Sequence, residues 1–257
     1  MSNHSFVIDP QQAESARVGD VLELTGPEAH HAVAVKRTQV GEHLDLLDGR
    51  GLRLIVEVLG ASNQLLSVRV IERVEEPPPA HPTTLIQALS KGDRDLQAVE
   101  SAVELGVWSV RPWQADRSIV RWNAGKVEKA MAKWRSLVRS AQKQSRRSYE
   151  PDVLDPMGSK ALAQKIQEHT DSGDLVLVLH EQAKESVASV CSAWIADAPE
   201  RTGVVLIVGP EGGISDAELA AFEQAGAKLG LLGRHVLRAS TAGPSALVLV
   251  RHIAGDL

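Results

Sequence analysis

One stretch constrains this 257-residue chain more than any other. The run Val204-Val205-Leu206-Ile207-Val208 is apolar and β-branched, and it ends abruptly in Gly209-Pro210-Glu211-Gly212-Gly213. Ser215 and Glu218 follow at capping-box spacing, so a helix starts at once. A short apolar run of this kind predicts a strand buried on both faces of a parallel sheet. The glycines permit positive φ and let a ligand approach the backbone. In open α/β sheets, ligands sit beyond the ends of such strands. A second loop of the same kind follows. There Leu231-Leu232-Gly233-Arg234-His235-Val236-Leu237-Arg238 leads into the small residues Ala239-Ser240-Thr241-Ala242-Gly243-Pro244. One glycine-rich turn is a weak signal; two at this spacing are a strong one.

The chain changes character along its length. The first 75 or so residues alternate: Val21, Leu22 and Leu24; Leu44, Leu46 and Leu47; Leu52 to Val58; Leu65 to Val70. Gly26-Pro27, Gly41, Asp48-Gly49 and Ser62-Asn63 punctuate these runs as turns. Asp48-Gly49 is a hairpin signal, and only Pro27 to Arg37 reads as helical. A small β-barrel over residues 1–75 fits this pattern. Three consecutive prolines, Pro77 to Pro79, then break the chain, so residues 76–82 read as a linker.

From residue 83 to 257 strands and helices alternate. Thr83–Leu89, Val107–Val110, Leu175–Leu179, Val204–Val208 and Leu229–Leu232 are the expected strands. Asp93–Leu105 and Lys126–Ser145 are the expected helices. Leu247–Ile253 suits either element, and Pro244 at a first helical position favours a helix. This half reads as α/β.

Composition limits the rest. A single cysteine, Cys191, excludes an internal disulfide and a cysteine-based zinc cluster. No apolar run reaches the roughly 18–20 residues of a membrane span. Met1 to Ser5 carries neither the basic nor the apolar region of a signal peptide. The expectation is a cytoplasmic protein. The net charge of -5 hides a strongly basic segment. From Arg117 to Arg147 lie ten Lys and Arg side chains, opposed only by Glu128. Such a concentration is the footprint of phosphate binding, and RNA is the expected partner. Trp113 and Trp122, flanking this segment, are candidates to stack on splayed bases. His30-His31 lacks further ligands at fitting spacing, so no metal is expected.

The glycine-rich turn is not a phosphate site. Glu211 inside it would repel a phosphate, and no Gly-Lys-Ser/Thr follows. A carboxylate there suits a cationic ligand, or it braces the turn.

The two loops resemble those of the SPOUT methyltransferases. More narrowly, they are similar to the bacterial 16S ribosomal RNA uridine-N3 methyltransferases, with their GPEGG-(F/I)-S-x-x-E and LG-x-x-(I/V)-LR-x-x-TA patterns. The resemblance spans nearly the whole chain. It includes His30-His31 with Val35-Lys36-Arg37 and Gly41-Glu42, Lys91-Gly92-Asp93-Arg94 with Glu104-Leu105-Gly106-Val107, Arg117-Ser118, and Gln144-Ser145 with Arg147 and Pro151. Ser240 stands where the family commonly has Glu, and Ser101 where it often has Lys.

The resemblance implies a homodimer with a PUA-like RNA-binding barrel ahead of an α/β domain that carries a C-terminal trefoil knot. It implies S-adenosylmethionine as cofactor and N3 of one 16S uridine, in the small ribosomal subunit, as target. Cofactor contacts would come from Leu179, His180 and Glu181; from Gly209, Glu211, Gly212, Gly213 and Ile214; and from Leu232, Gly233, Val236, Leu237, Ser240, Thr241 and Ala242. Main chain of the last loop would read the adenine edge, with Ile214, Val236 and Leu237 on its faces. Arg147 and Arg238 are the candidates to stabilise the developing anionic base. Lys36, Arg37, Lys91, Arg117, Arg121, Arg135, Arg139, Lys143 and Arg146 are the expected RNA contacts. The alternatives are a related enzyme acting on another RNA, and a non-catalytic ribosome-assembly or RNA-binding factor on the same scaffold.

Overall fold

Alternation in the first third of the chain becomes a sheet. In a computed structural model, which describes residues 3–62, 64–198 and 202–257, contacts divide the chain into two units. One comprises the chain up to Pro78 together with Gln142–Glu150; the other comprises Pro79–Ala141 and Pro151–Leu257. Met1 and Ser2, read above for a leader, and Asn63, read as part of a turn, lie outside the described residues.

In the first unit β1 (His4–Val7), α1 (Pro10–Ser15), β2 (Val21–Thr25) and α2 (Gly26–His30) precede β3 (His43–Leu47), β4 (Leu52–Ser62) and β5 (Leu65–Glu75). The five strands form one sheet in the order β1-β3-β4-β5-β2. Their alternate residues, among them Phe6, Leu44, Leu54, Val56, Leu66 and Val68, share a core. The expected hairpin joins β3 to β4: the Asp48 carboxylate accepts from Arg50 N at 2.7 Å and Leu52 N at 2.9 Å.

Two features depart from the sequence reading. Helix α1 was not foreseen, although Asp9 caps it and Pro10 opens it, a pairing that favours a helix start. The helix expected over Pro27–Arg37 is instead the short α2 followed by a π-helical turn, His31–Val35. Arg37, at φ 56°, ends it in left-handed backbone.

The second unit runs β6 (Thr83–Ala88), α3 (Arg94–Glu104), β7 (Ser109–Gln114), α4 (Ala124–Ser145), β8 (Asp152–Val153), β9 (Met157–Gly158), α5 (Ser159–Asp171), β10 (Leu175–Leu179), α6 (Val187–Ile195), β11 (Val204–Val208), α7 (Asp216–Gln224), β12 (Lys228–Gly230) and α8 (Ala239–Ile253). The last residues of α4, from Gln142, group with the first unit. The sheet order is β12-β10-β11-β6-β7-β8, with β9 beside β7, and these strands pair in parallel. All five residues of β11 are buried, as an apolar run between two layers requires. Each such side chain contributes about 1.5–3 kcal/mol on burial.

Strand boundaries shift where helix ends intervene. The strand expected at Val107–Val110 starts at Ser109, because Val107 completes the C-terminal cap of α3: its N–H bonds Ala102 O at 2.9 Å. The strand expected to reach Leu232 stops at Gly230. Helix α8 begins at Ala239, so Pro244 lies inside it rather than at its first position. The small residues ahead of the proline nucleate the helix, with Thr241 N and Ala242 N bonding Arg238 O.

Candidate functional site

Strands β12, β10 and β11 are adjacent and parallel, so their C-terminal ends leave the sheet along one edge. Three loops emerge there: Leu179-His180-Glu181 after β10, Gly209–Ser215 after β11, and Leu231–Arg238 after β12. The first and third are stitched together by His180 N to Gly230 O at 3.1 Å and Leu231 N to Glu185 O at 2.9 Å.

The middle loop is the tightest. Gly213 N bonds Pro210 O at 2.9 Å, and Gly213 adopts φ 73°. A Cβ on Gly209 would stand 2.7 Å from Ile214 Cγ1, and one on Gly212 would stand 3.2 Å from both Cβ and O of Arg117. A side chain at Gly209 would therefore displace Ile214, whereas one at Gly212 would require Arg117 to give by a few tenths of an ångström. One carboxylate oxygen of Glu211 accepts from Lys91 N at 3.1 Å and from Arg94 Nη1 at 3.3 Å. It ties the end of β11 to the segment after its neighbour β6.

The capping box expected at Ser215 and Glu218 is present, and Glu218 does more than cap. The Glu218 side chain is buried. Its carboxylate accepts from Asp116 N at 2.8 Å, Ser215 N at 2.8 Å, Ser215 Oγ at 2.8 Å and the Ser159 hydroxyl. Burial alone pushes this carboxyl up, but these hydrogen bonds outweigh it and hold Glu218 below the usual glutamate range. The same carboxylate thus fixes the Ala115–Ser118 loop against the glycine turn. Arg117 reinforces that contact, with Nη1 at 3.4 Å from the carbonyl oxygens of Gly212 and Ile214.

The third loop is open. Gly233 to Arg238 are exposed, and Val236 is 75% and Leu237 38% accessible. Arg238 is the exposed N-cap residue of α8. Ser240 and Thr241 follow in the first turn of that helix, and Ala242 is buried beneath it.

S-adenosylmethionine fits this chemistry. The glycines leave room at the backbone, and the exposed apolar pair Val236 and Leu237 stands on the third loop. The turn offers no lysine for a phosphate.

The expected RNA contacts occupy different settings. Lys36 and Arg37 are exposed in the first unit. Arg135 and Arg139 are exposed on α4, and Arg135 pairs with Glu128 at 3.5 Å. Lys143 is half-buried in an ion pair with Glu28 at 3.0 Å. Arg121 donates to Asp116 O at 2.6 Å. Arg146 and Arg147 belong to the first unit, in the turn after α4, whereas Arg238 and the three loops belong to the second.

Trp113 is a correction. It is fully buried, packs edge-on against Phe222 and donates to Ser159 Oγ, so it cannot stack on a base. Inward-facing β7 claims it. Trp122 is half-buried against Trp134. His31 packs edge-on against Phe6, and burial, then Lys143, pull its pKa down. Among the described residues no group of three metal-ligating side chains exists. No helix of the described residues is long and apolar enough to cross a membrane.

Arg94, Asp116 and Glu218 had no site role in the sequence reading. Arg94 lies within the Lys91–Arg94 motif and Glu218 within the capping box, but nothing in linear spacing brings either to the other loop.

Fold and loops together match a class of enzyme. The chain matches an RNA methyltransferase domain over residues 76–251 and an RNA methyltransferase PUA domain over residues 24–71. It is 41% identical to ribosomal RNA small subunit methyltransferase E of Mycobacterium tuberculosis, over 89% of this chain and 85% of that one. The enzyme of the same name from Bacillus subtilis is 30% identical over 98% and 96%. A ribosomal RNA small subunit methyltransferase E of Neisseria gonorrhoeae, solved bound to S-adenosyl methionine, superposes with a TM-score of 0.80 at 25% identity, covering 98% of each chain. A Legionella pneumophila methyltransferase solved with the cofactor SAM gives 0.80 at 27% identity, again over 98% of each. The chain belongs to the ribosomal RNA small subunit methyltransferase E family.

Proposed function

We propose that this protein methylates N3 of a single uridine in 16S ribosomal RNA, using S-adenosylmethionine, on the small ribosomal subunit. The observation that carries the reading is the single edge where three parallel strands deliver a glycine turn, a carboxylate-bearing loop and an exposed apolar loop. When bound, the cofactor supplies an electrophilic methyl group. The chain's part is positioning and charge. Gly209, Gly212 and Gly213 let the backbone approach the ligand, with Ile214 packed beneath Gly209. Main chain of Leu232, Gly233, Val236 and Leu237 reads the adenine edge. Leu179, His180, Glu181, Ser240, Thr241 and Ala242 complete the rim.

Loss of the imide proton leaves the uracil anionic, and a cation held beside it lowers the barrier electrostatically. Arg147 and Arg238 take that role. Lys36, Arg37, Lys91, Arg121, Arg135, Arg139, Lys143 and Arg146 supply phosphate contacts, which position the RNA without reading its sequence. Arg117 serves the cofactor turn at least as much as the RNA. The same reading includes a homodimer, a C-terminal knot and a cytoplasmic location.

The test is incubation with labelled S-adenosylmethionine and unmethylated small subunits, followed by mass mapping of the product. One N3-methyluridine in the 16S RNA is the expected product. Label on a ribose, on another base or on another RNA contradicts it.

A further inference from the structure

Among the described residues, five helices end in the same way. At the ends of α3, α5, α7 and α8 the N–H of the residue five positions on bonds a last-turn carbonyl, for example Val107 N to Ala102 O and Asp174 N to His169 O. The residue before that donor is then left-handed, and it is Gly106, Gly173, Gly226 and Gly255 respectively. This is the Schellman motif, where glycine is the default because any Cβ is strained there. Helix α4 makes the same two bonds, Arg146 N to Lys143 O and Arg147 N to Gln142 O. Its left-handed residue is Arg146, at φ 58°.

As in α8, where Arg251 Nη2 donates to Asp256 O at 3.0 Å, a side chain adds to the motif here. Gln142 Nε2 donates to Arg147 O at 2.7 Å, so Gln142 grips residue 147 by both its N–H and its C=O. Gln142 is fully buried, and its Oε1 has no hydrogen-bond partner among the described residues. An apolar side chain would avoid that unsatisfied acceptor; the amide is retained for its donor. Nor does the helix dipole require an arginine at position 146, since Lys143 already stands in the last turn.

We propose that Gln142 is a positioning residue that fixes Arg147 for its work on the RNA, and that Arg146 occupies a glycine's place because its guanidinium contacts RNA phosphate. This rests on the reading of the protein as an RNA methyltransferase and extends it to the turn that aims its cations.

The experiment uses the full-length protein and unmethylated small ribosomal subunits. Arg146→Gly relieves backbone strain, so its melting temperature rises by about 2–4 °C while subunit binding weakens about fivefold or more. Gln142→Met keeps the volume and deletes the donor. Its kcat falls about tenfold at unchanged cofactor affinity, and it falls no further when combined with Arg147→Ala. The inference is overturned if Arg146→Gly binds subunits as wild type does. It is equally overturned if Gln142→Met costs the same factor with and without Arg147, the signature of a merely structural amide. If Arg147→Ala itself methylates normally, both the assigned role of Arg147 and this inference fall. Wild-type activity, measured alongside, reports separately on the methyltransferase reading.

Discussion

Glu211 accepts a hydrogen bond from the main-chain N–H of Lys91, at 3.1 Å, from a segment 120 residues away in sequence. The carboxylate inside the glycine turn is thereby a strut between the ends of two neighbouring strands, β11 and β6. Arg94 adds to the strut at 3.3 Å.

Replacing Glu211 separates charge from brace. Glu211→Gln keeps an acceptor for Lys91 N and is expected to bind S-adenosylmethionine within about threefold of wild type. Glu211→Ala leaves that N–H without its partner, at a cost of about 1–3 kcal/mol, and is expected to weaken binding about tenfold or more. Calorimetric titration of both variants checks the order. Equal losses in the two would assign Glu211 to the cofactor's positive charge instead.

Arg117 has two competing roles, and they predict different phenotypes. As a brace on the carbonyls of Gly212 and Ile214, its loss in Arg117→Ala raises the cofactor Kd several-fold and leaves the salt dependence of RNA binding unchanged. As a phosphate contact, its loss reduces the slope of log K against log salt by about one and spares the cofactor. The brace is the expected outcome. Arg135→Ala, on the exposed face of α4, is expected to behave the opposite way.

Glu218 makes the stability depend on acid. Its folded pKa lies below the ordinary glutamate value. The stability it contributes is therefore full above about pH 4.3 and lost as pH falls through the lower, folded value. Asp95, buried on α3, has the opposite sign: burial raises its pKa, so it lowers stability as pH rises through the acid range. Glu218→Gln is expected to melt below wild type at neutral pH, with the gap narrowing in acid. Thermal melts across the acid range measure it, and a constant gap would mean that the carboxylate's charge is not what holds the two loops together.

Much of this architecture was legible because single segments specify it. The β10 and β11 runs are each apolar throughout, so only a buried strand suits them, and their limits in the fold match those read from the sequence. The capping box at Ser215 was equally local. What stayed hidden depends on partners distant in the chain. Trp113 flanks a basic segment in sequence but faces inward from β7 onto Phe222. The Glu218 contact with Asp116 spans 102 residues, and no periodicity encodes it. Pro244 misled as a helix start because the small residues from Ala239 had already begun the helix. The four helix-ending glycines made Arg146 conspicuous only once the torsions were known.

The most direct test of the central claim is titration of the full-length protein with S-adenosylmethionine, beside Gly212→Val. A side chain at residue 212 would press on Arg117 Cβ and O, 3.2 Å from the position of its Cβ, and force the two loops apart. Saturable one-site binding by the wild type, absent in the variant, is the predicted result. No binding by the wild type, with or without small ribosomal subunits, or unaltered binding by Gly212→Val, would contradict the assignment of this sheet edge as the cofactor site.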